Sequence, residues 1–380
     1  MNSTTSQNRS RATATPSALG PTRRATSAQR RRLAVVAAPT LDSDTVARFE
    51  DALRSTLLDA LAKAGTSPIG EQIRWHFCID DANGRRGKRL RPRLVMQVAF
   101  DEGGTFAEAI DAAVAVECLH NYSLMHDDIE DRDRTRHGRP AVWARFGLSH
   151  GVNAGDSMCA VSYLALLRGG GGQRPETIAA MAQRLHEANF AMCAGQAHDI
   201  AFETATDVAL EDYFAMIDGK TASLFGAACE LGALSAGAGG IRADAYAALG
   251  RTYGRAFQIR DDVLGVWGSP EQTGKPSDGD LAHRKWVYPV VWALAGPASA
   301  AREVVAMRYG ACAPLSPADI ADVRGALDAL GARAAAQAQY ARTLREAELL
   351  TRRHGLDRSG AIRALFSGAG RPAGGASPGR

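Results

Sequence analysis

Apolar residues recur at spacings of three and four along most of the chain. In the segment that follows Asp42, the apolar positions include Phe49, Leu53 and Leu57, and Gly65 ends the pattern. This spacing predicts an amphipathic helix that begins after a capping residue and ends at a glycine. The same periodicity predicts helices over 106–131, 176–203, 207–234, 242–267 and 317–354, with glycine-rich breaks at 169–172 and 237–240. Because alternating strand runs bounded by turns are missing, the predicted fold class is all-α, with one large helical bundle.

The composition is that of an ordinary globular protein. Of the 380 residues, 46% are hydrophobic and 23% are charged. No run approaches about 18 uninterrupted apolar residues, so no membrane span is expected. No two cysteines form a CxxC pair, which favours reduced core thiols in a cytoplasmic protein over a zinc site or a disulfide framework. The six cysteines are Cys78, Cys118, Cys159, Cys193, Cys229 and Cys312.

Positive charge is concentrated at the N terminus. The net charge is +4, but residues 1–41 contain seven arginines and no acidic residue, so the rest of the chain carries about −3. The folded part shows no basic stripe interleaved with aromatic residues, so nucleic acid binding is not expected. We predict a disordered basic tail at 1–41, a folded domain at 42–366 and a flexible Gly/Pro/Ser tail at 367–380. The basic tail is a solvated linker, an organelle address, or a segment that docks to an unknown partner or a protein shell.

An acidic cluster ends the helix predicted over 106–131. In LHNYSLMHDDIEDRD, Asp127 and Asp131 are four residues apart and share one helical face, and Asp128 lies beside them. Two carboxylates about 6 Å apart repel by roughly 3 kcal/mol at an effective dielectric near 20, and a bridging divalent cation removes that cost. The cluster is therefore either a metal site or a solvated acidic helix end.

A second acidic pair lies inside an apolar helix. Asp261 and Asp262 occur in AFQIRDDVLGVWG, where unpaired charges are costly to bury. If this helix faces the first acidic cluster, the pocket between them has carboxylates on both walls. Such a pocket can hold two or three magnesium ions together with a diphosphate.

Basic residues at predicted helix starts complete the pattern. Lys88, Arg89 and Arg91 in GKRLRP precede one helical run, and Lys220 and Thr221 in DGKTAS stand at the head of another. Arginine and lysine side chains, together with the amides of a helix start, can bind phosphate oxygens. The alternative is that these side chains are solvated at the surface.

Five motifs occur in a characteristic order over about residues 45–366: GKRLRP, DDIED, GQAHD, GKT and FQIRDD. In order and spacing they resemble those of the trans-isoprenyl diphosphate synthases (polyprenyl synthetases), and the chain most resembles geranylgeranyl diphosphate synthases. The resemblance implies an isoprenoid-synthase helical bundle around a central cavity, and a homodimer. It also implies condensation of isopentenyl diphosphate with an allylic diphosphate (dimethylallyl, geranyl or farnesyl), assisted by three magnesium ions.

The resemblance also implies roles for individual residues. The implied catalytic residues are Asp127, Asp128, Asp131, Asp261, Asp262, Lys220 and Gln258, of which Asp127, Asp131 and Asp261 are the implied metal ligands. The residues matching the allylic diphosphate site are Arg136, Lys220, Thr221, Gln258, Lys275 and Lys285. Those matching the isopentenyl diphosphate site are Lys88, Arg91, His120 and His137, while Gln196 and Asp199 match the GQxxD segment of a cavity helix.

Three positions depart from the family's pattern. The fifth position of the second acidic motif is Gly265 rather than aspartate, which leaves that wall with two carboxylates. His137 stands where a second arginine is usual, so a contact to isopentenyl diphosphate there would depend on pH. Val287 stands where a hydroxyl residue is common.

Product length is expected to depend on the cavity floor below the first acidic cluster. Tyr122 lies five residues before Asp127, with Leu119 and Cys118 further along the same helix. By resemblance, an aromatic ring there limits growth to a twenty-carbon product, although Tyr122 could also be a plain core residue. The open alternatives are a farnesyl diphosphate synthase and a non-catalytic subunit of a heteromeric synthase. Such subunits usually lose acids from the first motif, which is intact here.

Overall fold

The computed structural model describes residues 41–81, 84, 87–269, 279–311 and 314–368. The basic tail, apart from Leu41, and most of the predicted C-terminal tail lie outside these residues, so the predictions made for them stay predictions. Lys275 and Cys312 also lie outside the described residues. None of the described helices is long and apolar enough to cross a membrane.

The described chain is helical apart from one short hairpin, which confirms the all-α class. The first elements are α1 (Ser43–Ala64), α2 (Ile69–His76), α3 (Leu90–Asp101), α4 (Phe106–Glu130), β1 (Thr135–Arg136), β2 (Arg139–Pro140), α5 (Val142–Phe146), α6 (Leu148–Leu166) and α7 (Pro175–Phe202). Then come α8 (Leu210–Ile217), a π-helical turn (Asp218–Ala222), α9 (Ser223–Ser235), α10 (Ile241–Trp267), α11 (Gly279–Ala282) and α12 (Tyr288–Leu294). The last are α13 (Ala300–Gly310), α14 (Pro317–Ala329), α15 (Ala332–His354) and α16 (Ala361–Gly368). Strands β1 and β2 pair antiparallel, with Arg136 opposite Arg139.

Most helix predictions are confirmed because local end signals set the bounds. Asp42 caps α1 by accepting a hydrogen bond from the amide of Thr45, and Thr105 and Glu108 form a reciprocal capping box at the start of α4. The prediction of one helix over 317–354 is wrong: α14 and α15 are separate, because Gly331 adopts a left-handed conformation with φ of 74°.

The core consists of two apolar clusters that meet around the candidate site. The larger cluster contains α1, α3, α4, α6, α9 and most of α10, and α4 packs on α6 while α9 packs on α10. The smaller cluster joins α8 and the end of α10 to α12–α15. The prediction of buried core thiols holds for three cysteines, but Cys159 is only half-buried and Cys193 is exposed.

Candidate active site

A cavity of about 750 Å³ opens where the two core clusters meet. Its walls come from α3, α4, the β1–β2 hairpin, α7, the π-helical turn, α10 and the segment 279–287. The predicted site residues that line it are Lys88, Arg91, His120, Asp127, Asp131, Arg136, His137, Asp199, Lys220, Thr221, Gln258, Asp261, Asp262 and Lys285. Segments far apart in the sequence are thus brought to one cavity.

The three acids of the first motif have different surroundings. Asp127 lies in the last turn of α4 and Asp131 is the C-cap residue of that helix. Burial raises the pKa of Asp127 to about 6, and the charge of Asp131 adds to this effect. Asp128 is buried and accepts three hydrogen bonds of 2.6–2.9 Å from Arg136. Asp127 therefore faces the cavity, while Asp128 orients Arg136.

The second acidic pair divides its roles in the same way. Asp262 is buried and accepts hydrogen bonds from the Tyr213 hydroxyl at 2.6 Å, the Tyr288 amide at 2.7 Å and the Gln258 amide at 2.8 Å. Burial raises its pKa to about 7. No side-chain hydrogen bond or ion pair within the described ranges involves Asp261, and burial raises its pKa to about 6. Asp262 thus ties α10 to α8 and α12, and Asp261 is left to face the cavity.

A π-helical turn places Lys220 and Thr221. Sequence analysis put these residues at a helix start, but they lie in the wide turn that joins α8 to α9. Two glycines let this turn contact α7: a Cβ built on Gly195 would lie 2.1 Å from the Lys220 amide nitrogen, and one on Gly219 would lie 2.6 Å from the Ala191 carbonyl oxygen. The close contact brings Lys220 to the carboxylate side of the cavity.

Two lysines bridge the acids of different helices. Lys220 donates to Asp199 at 2.6 Å, and Lys285 donates to Asp131 at 2.7 Å and to Asp199 at 3.2 Å. Burial disfavours both ammonium groups, but the neighbouring carboxylates outweigh it and raise both lysine pKa values. Two cations therefore stay charged inside the cavity, in positions from which they can contact an anion.

A cationic group on α3, the guanidinium of Arg91, also lines the cavity. Arg91 contacts the His120 ring nitrogen at 3.1 Å, and its guanidinium lies 4.3 Å from the centre of the Phe225 ring. Burial lowers the pKa of Arg91 to about 10 and holds the pKa of His120 well below its ordinary value. The neutral imidazole accepts from the guanidinium, so the positive charge belongs to Arg91.

The hairpin that follows the first motif is held rigidly. His137 and Gly138 form its two-residue turn with φ values of 52° and 80°, as a type I′ turn requires. The Trp75 ring is sandwiched between the guanidiniums of Arg139 and Arg145, each 3.7 Å from the ring centre. This packing fixes the hairpin and its cavity-lining side chains.

The donor set fits magnesium bound together with a diphosphate. Among the residues that the structure describes, no three His, Cys, Asp or Glu side chains meet around a single point. Magnesium, however, usually takes one or two carboxylates and completes its shell with water and phosphate oxygens. Asp127 and Asp261 supply such oxygens, and Arg91 is electrostatically coupled to both of them. Asp131 would add a further oxygen only if the Lys285 ammonium moved away from it.

Some predicted site residues do not reach the cavity wall within the described chain. Gln196 donates to Glu130 at 2.6 Å, and Cys118 and Leu119 are buried in the larger core cluster. Tyr122 is half-buried, with its hydroxyl 3.4 Å from the Cys193 sulfur. On α4, Ser123 and Leu124 line the cavity instead. The roles inferred for Gln196, Cys118, Leu119 and Tyr122 stay predictions.

Sequence reasoning missed several polar groups of the wall. They are His76, Asn121, Arg139, Tyr213, Arg260 and Asp280. Arg260 lies inside the second acidic motif and could have been found there. The others lie on elements whose position in space gives no signal in the sequence.

The model of the family described as "Polyprenyl synthetase" matches residues 77–325, more than half of the chain. The chain belongs to the polyprenyl synthetase family. A polyprenyl synthetase from Streptomyces coelicolor A3(2) has a similar structure, with a TM-score of 0.76 and 30% identity, covering 85% of this chain and 97% of that one. This likeness also confirms the isoprenoid-synthase fold implied by the resemblance.

Curated members of the polyprenyl synthetase family differ in product. The chain is 44% identical over 239 residues to a (2E,6E)-farnesyl diphosphate synthase from Mycobacterium bovis, covering 62% of this chain and 66% of that protein. It is 39% identical over 247 residues to a geranylgeranyl diphosphate synthase from Mycobacterium tuberculosis, covering 65% and 69%. The match to the M. bovis protein thus spans slightly less than two thirds of that protein's length.

The raised pKa of Asp261 predicts a pH-dependent stability difference. Well below its ordinary pKa of 3.8 this carboxyl is protonated in the folded and unfolded chains alike. Between that value and about 6 the folded chain binds more protons than the unfolded chain, so rising pH destabilises the fold. With a chelator present, the free energy of unfolding of Asp261→Asn should approach that of the wild type as the pH falls below 3.8 and exceed it above about pH 6. The two-unit pKa shift sets a limit of about 3 kcal/mol.

Urea unfolding across this pH range measures that difference. The exposed Asp207 provides a control for the loss of an acid at the surface, because Asp207→Asn should change the free energy of unfolding by less than about 0.5 kcal/mol. A constant difference for Asp261→Asn would contradict the prediction.

Proposed function

We propose that this protein is a trans-prenyltransferase that condenses isopentenyl diphosphate with allylic diphosphates to form geranylgeranyl diphosphate. The observation that carries the proposal is one cavity in which two carboxylates, which have no side-chain hydrogen bond or ion pair within the described residues, face half-buried cations from three other segments. Asp127 and Asp261 are the carboxylates, and Arg91, Lys220 and Lys285 are the cations. This charge arrangement suits two diphosphates and divalent ions better than any neutral substrate.

The cations divide into two diphosphate subsites. Lys220 and Lys285 lie beside the acids and can transfer their hydrogen bonds from Asp199 and Asp131 to the allylic diphosphate. Arg91, supported by the Phe225 ring and His120, is placed for isopentenyl diphosphate, with Lys88 on the same cavity wall. Magnesium, when bound between the acids and the allylic diphosphate, supplies neutralisation of the charge that develops on the leaving group.

The proposed reaction also requires a site that excludes water. When the allylic carbon–oxygen bond breaks, the diphosphate leaves with the bonding electrons and an allylic cation remains. The double bond of isopentenyl diphosphate attacks this cation, and the new cation then loses a proton to the released diphosphate. Leu124, Met192, Met216 and Phe257 supply apolar surface to the cavity wall. Their side chains can exclude water that would quench the cation.

The fifteen-carbon alternative has an observation in its favour. The farnesyl diphosphate synthase relative is more similar to this chain than the geranylgeranyl diphosphate synthase relative is, at 44% against 39% identity. A twenty-carbon product is supported by the small Ser123 side chain on the cavity wall, which leaves room for a longer hydrocarbon. Both products require the same mechanism and differ only in the depth of the apolar region.

A product assay tests the proposal. The protein is incubated with isopentenyl diphosphate, magnesium and an allylic starter of five, ten or fifteen carbons, and the dephosphorylated products are sized by chromatography. A twenty-carbon alcohol is expected, whereas a fifteen-carbon alcohol would assign the protein to farnesyl diphosphate synthesis. The absence of product with every starter would overturn the proposal and favour the non-catalytic subunit.

Replacing Tyr122 tests the chain-length hypothesis. The ring is half-buried between α4 and α7, and its hydroxyl contacts Cys193. If the ring closes the floor, Tyr122→Ala should shift the product by one or more five-carbon units. Tyr122→Phe keeps the ring and loses only the sulfur contact, so it should leave product length unchanged. An unaltered product from Tyr122→Ala would assign the limit to other residues such as Leu124.

We also propose that the protein is a homodimer. Large apolar side chains are exposed on α6 and α7, which pack against each other: Leu148 is 58% exposed, Leu164 is 53% exposed and Phe190 is 79% exposed. A second copy that covers this face would bury them. Light scattering should give twice the chain mass, and Phe190→Glu should shift the protein towards the monomer.

A further inference from the structure

We propose that Asp280 supplies the third acidic oxygen donor of the second motif, which position 265 lacks, and so contributes to the divalent ion held by Asp261. This inference deepens the proposed function and rests on it. In the sequence, Gly265 appeared to leave that wall of the cavity with only two carboxylates.

The geometry of α10 and α11 carries the inference. Gly265 lies one helical turn after Asp261 on α10, so a side chain at 265 would project from the same face. A Cβ built on Gly265 would lie 1.8 Å from Oδ2 of Asp280 and 2.7 Å from its carboxyl carbon. The Asp280 carboxylate thus occupies the space in which a side chain at 265 would begin. Asp261, Gly265 and Asp280 all line the cavity.

The chain holds Asp280 in this place from a separate element. Leu281, the next residue, is fully buried in the smaller core cluster. The Asp280 carbonyl accepts a hydrogen bond of 2.8 Å from the amide of Lys285, whose side chain contacts Asp131. These contacts anchor α11 against α10 and couple the position of Asp280 to the first acidic motif.

The position of the Asp280 carboxylate also explains why glycine stands at 265. Any side chain at that position would collide with the Asp280 carboxylate, so the two positions can supply one carboxylate between them but not two. Asp261 and Asp280 line the same cavity as like charges, and a divalent cation bound by both would offset their repulsion. The second acidic wall is therefore assembled from α10 and α11 rather than from one helix.

Four variants test whether Asp280 takes the place of an acid at position 265. Asp280→Asn keeps the size of the side chain and removes its charge, and Gly265→Asp alone creates the collision. The double variant Gly265→Asp/Asp280→Ala moves the carboxylate onto α10, where the remaining Asp280 Cβ would be 3.3 Å from the new one and needs to shift only slightly. Asp207→Asn removes an exposed acid that does not line the cavity and serves as the control.

The readout is binding of manganese, as a paramagnetic substitute for magnesium, in the presence of inorganic diphosphate. Free manganese is measured by electron paramagnetic resonance, with thermal unfolding in chelator as a check of folding. Asp280→Asn should weaken binding of one ion by about 10- to 100-fold, and the folded double variant should recover most of that loss. Asp207→Asn should bind as the wild type does.

The outcomes separate this inference from the proposed function. If the wild type binds manganese and diphosphate together but Asp280→Asn binds equally well, the inference is overturned and the proposed function stands. A folded double variant that binds manganese as weakly as Asp280→Asn would also overturn the inference. If the wild type fails to bind manganese with diphosphate, the proposed function falls as well.

Discussion

Replacing Asp127 by alanine is expected to lower turnover by about three orders of magnitude or more. The side chain is half-buried at the end of α4, lines the cavity, and takes part in no side-chain hydrogen bond within the described ranges. A carboxylate in this position can stabilise the negative charge of a leaving diphosphate only through a bound cation. Removing it therefore removes stabilisation of the leaving diphosphate. Turnover with saturating isopentenyl diphosphate and allylic starter, measured over a magnesium series, is the test.

A matched control separates this role from the mere loss of a buried acid. Asp101 on α3 is buried, and burial raises its pKa to about 6 as it does for Asp127, but Asp101 contacts Gln97 and Ser359 and does not line the cavity. Asp101→Asn should keep turnover within about twofold of the wild type, as expected for a change away from the site. Similar turnover for Asp127→Ala and Asp101→Asn would remove Asp127 from the metal site.

Replacing Gly195 by alanine is expected to cost about 3 kcal/mol of unfolding free energy and to lower turnover strongly. The new methyl group would lie 2.1 Å from the Lys220 amide nitrogen and 2.8 Å from the Met216 carbonyl oxygen. Both are backbone atoms, so α7 and the π-helical turn must separate. Lys220 would then move away from Asp199 and from the allylic diphosphate. Urea unfolding and the KM for the allylic substrate measure the two effects.

Gly325 provides the control for this substitution. It lies inside α14, and a Cβ built there meets no atom within 4 Å. Gly325→Ala should therefore stabilise the protein by about 0.5–1 kcal/mol, because alanine loses less conformational entropy in a helix. An equal effect of the two substitutions would contradict the claim that Gly195 is required for close packing.

The acids of the site could be predicted because their signal is local. Asp127 and Asp131 fall on one helical face by their spacing alone, and an acidic pair in an apolar helix marks Asp261 and Asp262 as unusual. The division of roles within each pair could not be predicted. It depends on Arg136, which holds Asp128, and on Tyr213, which holds Asp262 from another helix.

Other parts of the site depend on contacts between distant segments. The apolar spacing predicts one helix over 207–234, whereas the chain forms α8, a π-helical turn at 218–222 and α9. The closeness of Gly195 to Lys220 and of Gly265 to Asp280 follows from the packing of helices, which sequence spacing does not specify. Gly331, by contrast, is a helix-ending residue that is visible in the sequence. The apolar periodicity on both sides of it nevertheless predicts one helix over 317–354.

Under the proposed function, the contacts between lysines and carboxylates should make the binding of metal and diphosphate interdependent. Lys285 donates hydrogen bonds to Asp131 and Asp199, so an ion that needs Asp131 would compete with an ammonium group for the same oxygens. A diphosphate that takes over Lys285 would free Asp131, and the ion would in turn favour the diphosphate. By thermodynamic reciprocity each ligand would raise the affinity of the other by the same factor. The cavity should therefore bind the metal–diphosphate complex in preference to either component alone.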